Sequence, residues 1–392
     1  MFSPPPPSSE EFFAWRRREF PIFERKIFLT HASVSPLPAA SARAVADYAH
    51  QLAREGQFDY LHAPIYTRAK ERFARLLGNG ARPEEIAFAG STSHALGLVA
   101  TSLPWKRGEN CLVCDGDFPA NIVIWKNLAH THGVEIRVAP FHPHRPVSVE
   151  DLAPLIDEKT RLVTVSAVHF LTGFAPNLRE IGEFLRARGV LLCVDAIQSL
   201  GAVRADFSRA DFVCADTHKW LLGPNGTAFA WFRGEVLEQM RPQILGWLAI
   251  EGRDDWFSYG TTPFANAERF EPGARNYLGI VAAEKSLEIL ENAGLENVEN
   301  RVMQLRELGA QKLENRGHEI LFRGDATTKS GNLTFRPRDG DAKGLYAKLD
   351  EKFAVSIRDW RDGKQWLRIS PHFMNHESDL DALCAAIEKS HR

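Results

Sequence analysis

The stretch from Val194 to Gly226 restricts this chain more than any other. An apolar run, Val190, Leu191, Leu192, Cys193 and Val194, leads into Asp195. A run of that length without polar alternation suits a strand buried on both faces of a parallel sheet. A second apolar run, Phe212, Val213, Cys214 and Ala215, precedes His218-Lys219 and then the glycine-bearing turn Gly223-Pro224-Asn225-Gly226. In open α/β sheets, ligands collect beyond the carboxyl ends of the strands. Asp195 and Lys219 are therefore expected to meet at one crevice.

A lysine and a carboxylate there suit a carbonyl cofactor held through nitrogen. Lysine supplies the amine for a Schiff base, and pyridoxal 5'-phosphate (PLP) needs an acid beside its pyridine nitrogen. Two isolated residues of these kinds are more often a helix-capping Asp and a solvated Lys, so their neighbours decide.

The strings VDAIQ and HKWLLGPNG, with FLTHASVSPLP near residue 28 and LRISPHFMNHESDLDAL near the end of the chain, resemble the class V aminotransferase family of fold-type I PLP enzymes. That family includes cysteine desulfurases and isopenicillin N epimerase, and the likeness covers nearly the whole chain. It implies an α/β fold: a large domain with a mostly parallel sheet flanked by helices, plus a smaller α+β C-terminal domain. The divisions expected are an arm (1–25) packing with the small domain, a large PLP-binding domain (26–294) and a small domain (295–392). The family's active sites lie at a subunit interface, which implies a homodimer, typically with two-fold symmetry.

The resemblance also distributes roles. Lys219 would carry the cofactor, Asp195 its ring nitrogen, and Gln198 its phenolic oxygen or Schiff base. His218 would lie near phosphate and lysine. Gly90-Ser91-Thr92-Ser93, between a strand and a helix start, presents free N–H groups and hydroxyls to an anion; the family's phosphate-cradling role falls on Thr92 and Ser93. Phe118 stands where desulfurases stack a histidine on the ring, with Ile197 covering the opposite face. Phe170 replaces a family asparagine. Arg368, between Leu367 and Ile369 in a strand, faces away from both and matches the arginine that binds the substrate α-carboxylate. His31 and Ser33 are candidates for the substrate wall; His31 fits a packed loop histidine equally well.

Two positions depart from the pattern. Asp216 stands in place of a small hydroxyl, and an ionised carboxylate there would repel a phosphate dianion. Either Asp216 turns away and Thr217 helps, or the phosphate site is altered. Ala274 lacks the hydroxyl that reaches a neighbouring subunit's phosphate, a task left to its N–H and to Asn276.

Composition sets outer limits. With 392 residues, a net charge of −2 and no long apolar run, the chain has no global field for nucleic acid and no candidate membrane span. The opening MFSPPPPSSEEFF lacks the charged start and apolar core of a secretory signal, so a cytoplasmic address is expected. Five cysteines, an odd number in strand-like settings, read as reduced thiols. Cys111 and Cys114 have redox or zinc spacing, but on a strand they face opposite ways. The FHPHRP segment (His142, His144, Arg145) lacks the acidic or sulfur partners of a metal site.

The expected activity is PLP-dependent chemistry at Cα or Cβ of an amino acid. A persulfide-forming desulfurase needs a mobile cysteine shortly before the carboxylate-binding arginine, and FAVSIRDWRDGKQWL (353–367) has none. Epimerase- or lyase-like chemistry is therefore favoured over a cysteine desulfurase or selenocysteine lyase. The alternative from another class is a degenerate PLP fold kept as a binding or interaction module.

Overall fold

The computed structural model describes residues 4–7, 9–57, 63–257, 259–325, 327–361 and 363–390. Helix α1 (Glu10–Glu19) is capped by Ser9, whose hydroxyl accepts the Phe12 amide. Next come β1 (Ile27–Phe28), α2 (Ala39–Glu55), α3 (Pro64–Leu77), β2 (Ile86–Ala89), α4 (Thr92–Ser102), β3 (Asn110–Cys114), α5 (Ala120–His132), β4 (Glu135–Ala139), α6 (Val149–Leu152) and β5 (Thr160–Ser166). The large unit closes with α7 (Leu178–Arg186), β6 (Leu191–Asp195), β7 (Phe212–Asp216), β8 (Ala228–Phe232), α8 (Gly234–Leu237) and α9 (Tyr277–Ala293). The small unit follows: α10 (Leu295–Glu314), β9 (Glu319–Ile320), β10 (Leu333–Arg336), α11 (Ala342–Leu349), β11 (Phe353–Ala354), β12 (Ser356–Asp359), β13 (Gln365–Ile369) and α12 (Glu377–Ser390).

Seven strands form the central sheet in the order β2-β8-β7-β6-β5-β3-β4. β8 runs antiparallel to both of its neighbours and the other pairings are parallel. The unbroken apolar runs follow from burial on both faces. Leu192, Val194, Val213 and Ala215 enter one core, while Cys193, Phe212 and Cys214 enter the other. Cys111 and Cys114 separate in the same way, Cys111 into the second core and Cys114 against the first. Parallel pairing sets the carboxyl ends of β3, β5, β6 and β7 along one edge, where Asp195 and Asp216 terminate their strands.

A four-stranded antiparallel sheet, β12-β13-β10-β9, organises the small unit. Leu367 and Ile369 of β13 enter its core with Leu380 and Leu383 of α12. The arm engages both units. Its Phe12, Trp15 and Phe20 join the first large core, and Arg16 makes a buried ion pair with Asp379 at 2.8 Å. In the segment after residue 26, β1 pairs in parallel with β11 and Thr30 bridges Ser370. Residues 27–30 thus complete strand edges of the small unit, a long-range pairing with no local sequence signal. Among the described residues, no helix is long and apolar enough to cross a membrane.

Candidate active site

Beyond the carboxyl edge of the sheet lies a crevice of about 470 Å³. Its walls come from the turn after β1, the start of α4, the segments following β3, β5, β6 and β7, and the β12–β13 hairpin.

The turn after β7 places Lys219. Gly223 N–H donates to the Thr217 carbonyl at 2.7 Å, and Leu222 N–H to that of Lys219 at 3.0 Å. Gly201 (φ +91°) lies so close beneath this turn that a Cβ there would come within 2.3 Å of the Trp220 carbonyl oxygen. No L side chain fits that approach. The turn holds Lys219 with 8% of its surface exposed and its Nζ 5.4 Å from the Phe118 ring centroid.

Asp195 lies on the crevice floor, buried, with Oδ1 accepting the Ile197 amide at 3.0 Å. Burial pushes its carboxyl up to about 7, helped by the charge of Asp117 and opposed by the Ile197 amide and Lys219. Burial pulls the Lys219 amine down to about 8; Asp195 opposes this, Arg368 adds to it, Asp216 opposes it and Arg358 adds to it. The neutral amine that a nucleophile requires is therefore a minor but far larger fraction near neutral pH than for an ordinary lysine. In the cofactor-free protein, the rate of PLP capture by Lys219 should rise up to pH ~8 and then level off, following the fraction of neutral amine. A rate still climbing at pH 10, measured by stopped-flow absorbance, would indicate an ordinary solvated lysine.

Asp117 escaped the sequence reading. Its carboxylate accepts the Phe118 amide at 2.7 Å, the Ser166 hydroxyl at 2.7 Å and the Asn121 side chain at 2.9 Å. It fixes the aromatic wall and adds negative charge near Asp195. The spacing Asp117…Asn121 at a helix start was the available signal. Phe118 is 43% exposed and meets Phe170 edge-on with ring centroids 5.4 Å apart, so it is a wall residue and not core. Ile197 also lines the crevice.

Gln198 lines it too, but its amide is heavily committed. Nε2 donates to the Ala32 carbonyl at 3.0 Å, and Oε1 accepts from Trp220 at 3.1 Å and Asn332 at 3.4 Å. One Nε2 hydrogen is left for a ligand.

At the other end, α4 points its first turn into the crevice, with Ser91, Thr92 and Ser93 on the wall. Thr92 Oγ1 accepts the Asp216 amide at 2.9 Å, tying α4 to β7. The Asp216 question resolves here. Thr217 turns away and donates to the carbonyls of Pro224 and Thr227 at 2.9 and 2.8 Å, while the Asp216 carboxylate remains in the crevice. His218 Nδ1 lies 2.8 Å from Asp216 Oδ1 without hydrogen-bond alignment. This end of the crevice thus combines helix N–H groups with an Asp–His pair.

Ser33 and Arg368 meet across the crevice, with Arg368 Nη2 donating to Ser33 Oγ at 2.9 Å. Arg368 faces opposite to Leu367 and Ile369, is fully buried, and leaves its Nε without a partner.

Two expected positions fall elsewhere. His31 is completely buried, bonds Ser35 Oγ at 2.9 Å and stacks on Trp220. It packs behind the wall that Ala32 and Ser33 present, because the backbone turns between them. Asn276 caps α9, accepting the Gly279 amide and donating to the Gly226 carbonyl at 3.2 Å. It borders a separate cavity of about 970 Å³ between α2, α3 and α9, and does not line its own chain's crevice.

These residues suit PLP by their donor chemistry: a low-pKa amine, a buried acid, an aromatic face, helix N–H groups and a guanidinium whose Nε is unpaired. Among the described residues, no cluster of potential metal ligands occurs.

The family described as Aminotransferase class-V matches residues 27–383. A probable cysteine desulfurase of Methanothermobacter thermautotrophicus is 28% identical over 87% of this chain and 86% of its own length. Isopenicillin N epimerase of Streptomyces clavuligerus is 29% identical over 92% and 94%. Among solved structures, the Escherichia coli cysteine desulfurase CsdA superposes with a TM-score of 0.85 at 24% identity, covering 100% of this chain and 99% of that one. The lyase C-DES, solved as a variant with glycine covalently linked to PLP, gives 0.83 at 22% identity, covering 95% and 98%. These structural matches establish the fold.

Proposed function

Because the chain belongs to the class V aminotransferase family, and is thus a PLP-dependent enzyme, we propose that it acts at Cα or Cβ of an amino-acid substrate without forming a persulfide. The carrying observation is the convergence of Lys219, Asp195 and Arg368 on one crevice. PLP, when bound, supplies an electron sink for the bonds at Cα. Arg368 takes the α-carboxylate with its fork and turns the substrate. Lys219 Nζ then holds or returns the Cα proton, and Asp195 keeps a positive charge at the ring nitrogen. Thr92, Ser93 and His218 serve the phosphate, and Phe118, Ile197 and Gln198 enclose the ring. A non-catalytic binding module is disfavoured by the amine poised near pH 8.

The cysteines support the choice among family chemistries. None lines the crevice, and burial raises the thiols of Cys111, Cys114, Cys193's neighbour Cys214 and Cys384 above their ordinary range. Protonated, buried thiols are poor nucleophiles. Holoenzyme incubated with single amino acids should change the cofactor spectrum and yield epimer, keto acid or elimination product, while L-cysteine yields no enzyme-bound persulfide. A persulfide detected by mass spectrometry on any of the five cysteines would overturn this reading.

The working unit is a homodimer. Trp256, Phe257 and Tyr259 are largely exposed together on one loop, an apolar cluster of the kind that marks a protein contact. Asn276 is exposed at the start of α9 and turned from its own crevice. Light scattering should give twice the chain mass, with Phe257→Glu shifting it toward monomer; a monomeric native protein would refute the arrangement.

A further inference from the structure

A second arginine faces the crevice beside Arg368. β12 alternates Ser356-Ile357-Arg358, as β13 alternates Leu367-Arg368-Ile369, and the register pairs Ser356 with Arg368 and Arg358 with Trp366. Arg358 and Arg368 are thus diagonal neighbours on one face of the hairpin, and both line the crevice. Nη2 of each donates to the same hydroxyl, Ser33 Oγ, at 2.8 and 2.9 Å. Each Nη1 donates to a main-chain carbonyl, Ile357 for Arg358 and Phe170 for Arg368.

Two guanidinium groups gathered on one neutral hydroxyl are an incomplete arrangement. Burial lowers both below the ordinary arginine range, and the charge of Arg358 lowers Arg368 further; among the described residues no carboxylate offsets either. Buried cations are normally paired, and like charges placed side by side disfavour each other unless an anion joins them. One α-carboxylate satisfies one fork. Arg368 is anchored to the Phe170 carbonyl in the crevice wall, while Arg358 lies one register step toward the hairpin turn, paired with Trp366.

We propose that the crevice selects amino acids carrying a second carboxylate on the side chain, with Arg368 holding the α-carboxylate and Arg358 the distal one. This rests on the amino-acid reading of the crevice given above. Ser33 sits between the two forks and remains a donor to either acid. Arg358 is then a specificity-determining residue, and the hairpin supplies both anchors from one rigid element.

The test uses holoenzyme and acids without an amino group, so that binding is read apart from turnover. Succinate and glutarate should bind at least about tenfold more tightly than butyrate, the gain expected from a second charge-assisted fork. Arg358→Gln should bring that ratio close to one, and Arg358→Lys should restore part of it. In parallel, the kcat/KM ratio of L-aspartate or L-glutamate over L-alanine should fall in Arg358→Gln. Equal binding of mono- and dicarboxylates by the native protein would overturn the proposal. So would a loss in Arg358→Gln that is equal for both, which would mean that both arginines hold one carboxylate. The visible cofactor band, recorded on every sample, separates the two levels. A normal band without dicarboxylate preference defeats this inference alone, whereas no band and no response to any amino acid defeats the parent reading.

Discussion

Lys219→Ala is expected to lose the visible band of lysine-bound PLP and to lower kcat by roughly 10²–10⁴-fold, the range for removing a positioned proton-transfer group. The size of the effect follows from the surroundings. Burial brings the amine to about pKa 8, the turn fixes it against Phe118, and Gly201 underlies that turn. A replacement lysine elsewhere on the surface would have neither the pKa nor the position. Added primary amines should recover part of the rate, because the fold around the turn does not depend on the Lys219 side chain. Undiminished turnover in Lys219→Ala, measured with saturating cofactor, would remove the basis of the mechanism.

The second large effect falls on Asp195. An acid buried opposite the amine serves as a fixed counter-charge, and removing such electrostatic stabilisation costs about 10²–10³-fold in kcat. Asp195→Asn keeps the shape, so cofactor should still attach while turnover falls. The same substitution carries a pH signature in cofactor-free protein. The Asp195 carboxyl rises from an ordinary 3.8 to about 7 in the folded state, chiefly through burial. Such a group contributes stability at low pH that is lost as pH rises through the folded value. The native protein should therefore lose stability relative to Asp195→Asn between about pH 4 and 7, by a few kcal/mol. A bound cation reverses this by favouring the ionised form. Equal stability profiles for the two proteins, with and without cofactor, would contradict the assigned burial.

How far the sequence foretold this site depended on the range of the interaction. Asp195 and Lys219 were legible because one ends an apolar run and the other follows closely after a second, and strand polarity alone brings two such ends to one edge. Arg368 was legible through alternation, since a charge between Leu367 and Ile369 must face away from their core. His31 was not resolved, because a polar residue in a turn can face either side and only the packing of Trp220 and His372 decides. The choice between Asp216 and Thr217 likewise depended on the carbonyls of Pro224 and Thr227, which accept the Thr217 hydroxyl. Asp117 and Arg358 carry ordinary local patterns and acquire meaning only from neighbours distant in sequence: Ser166 for one, Ser33 and Arg368 for the other. The pairing of β1 with β11 was invisible for the same reason.

The most direct measurement is borohydride reduction of the PLP-loaded protein followed by proteolysis and mass spectrometry. A single pyridoxyl group on the peptide carrying Lys219 is the expected result. An unlabelled Lys219 peptide, or label spread over surface lysines, would contradict a cofactor joined to this amine above Asp195.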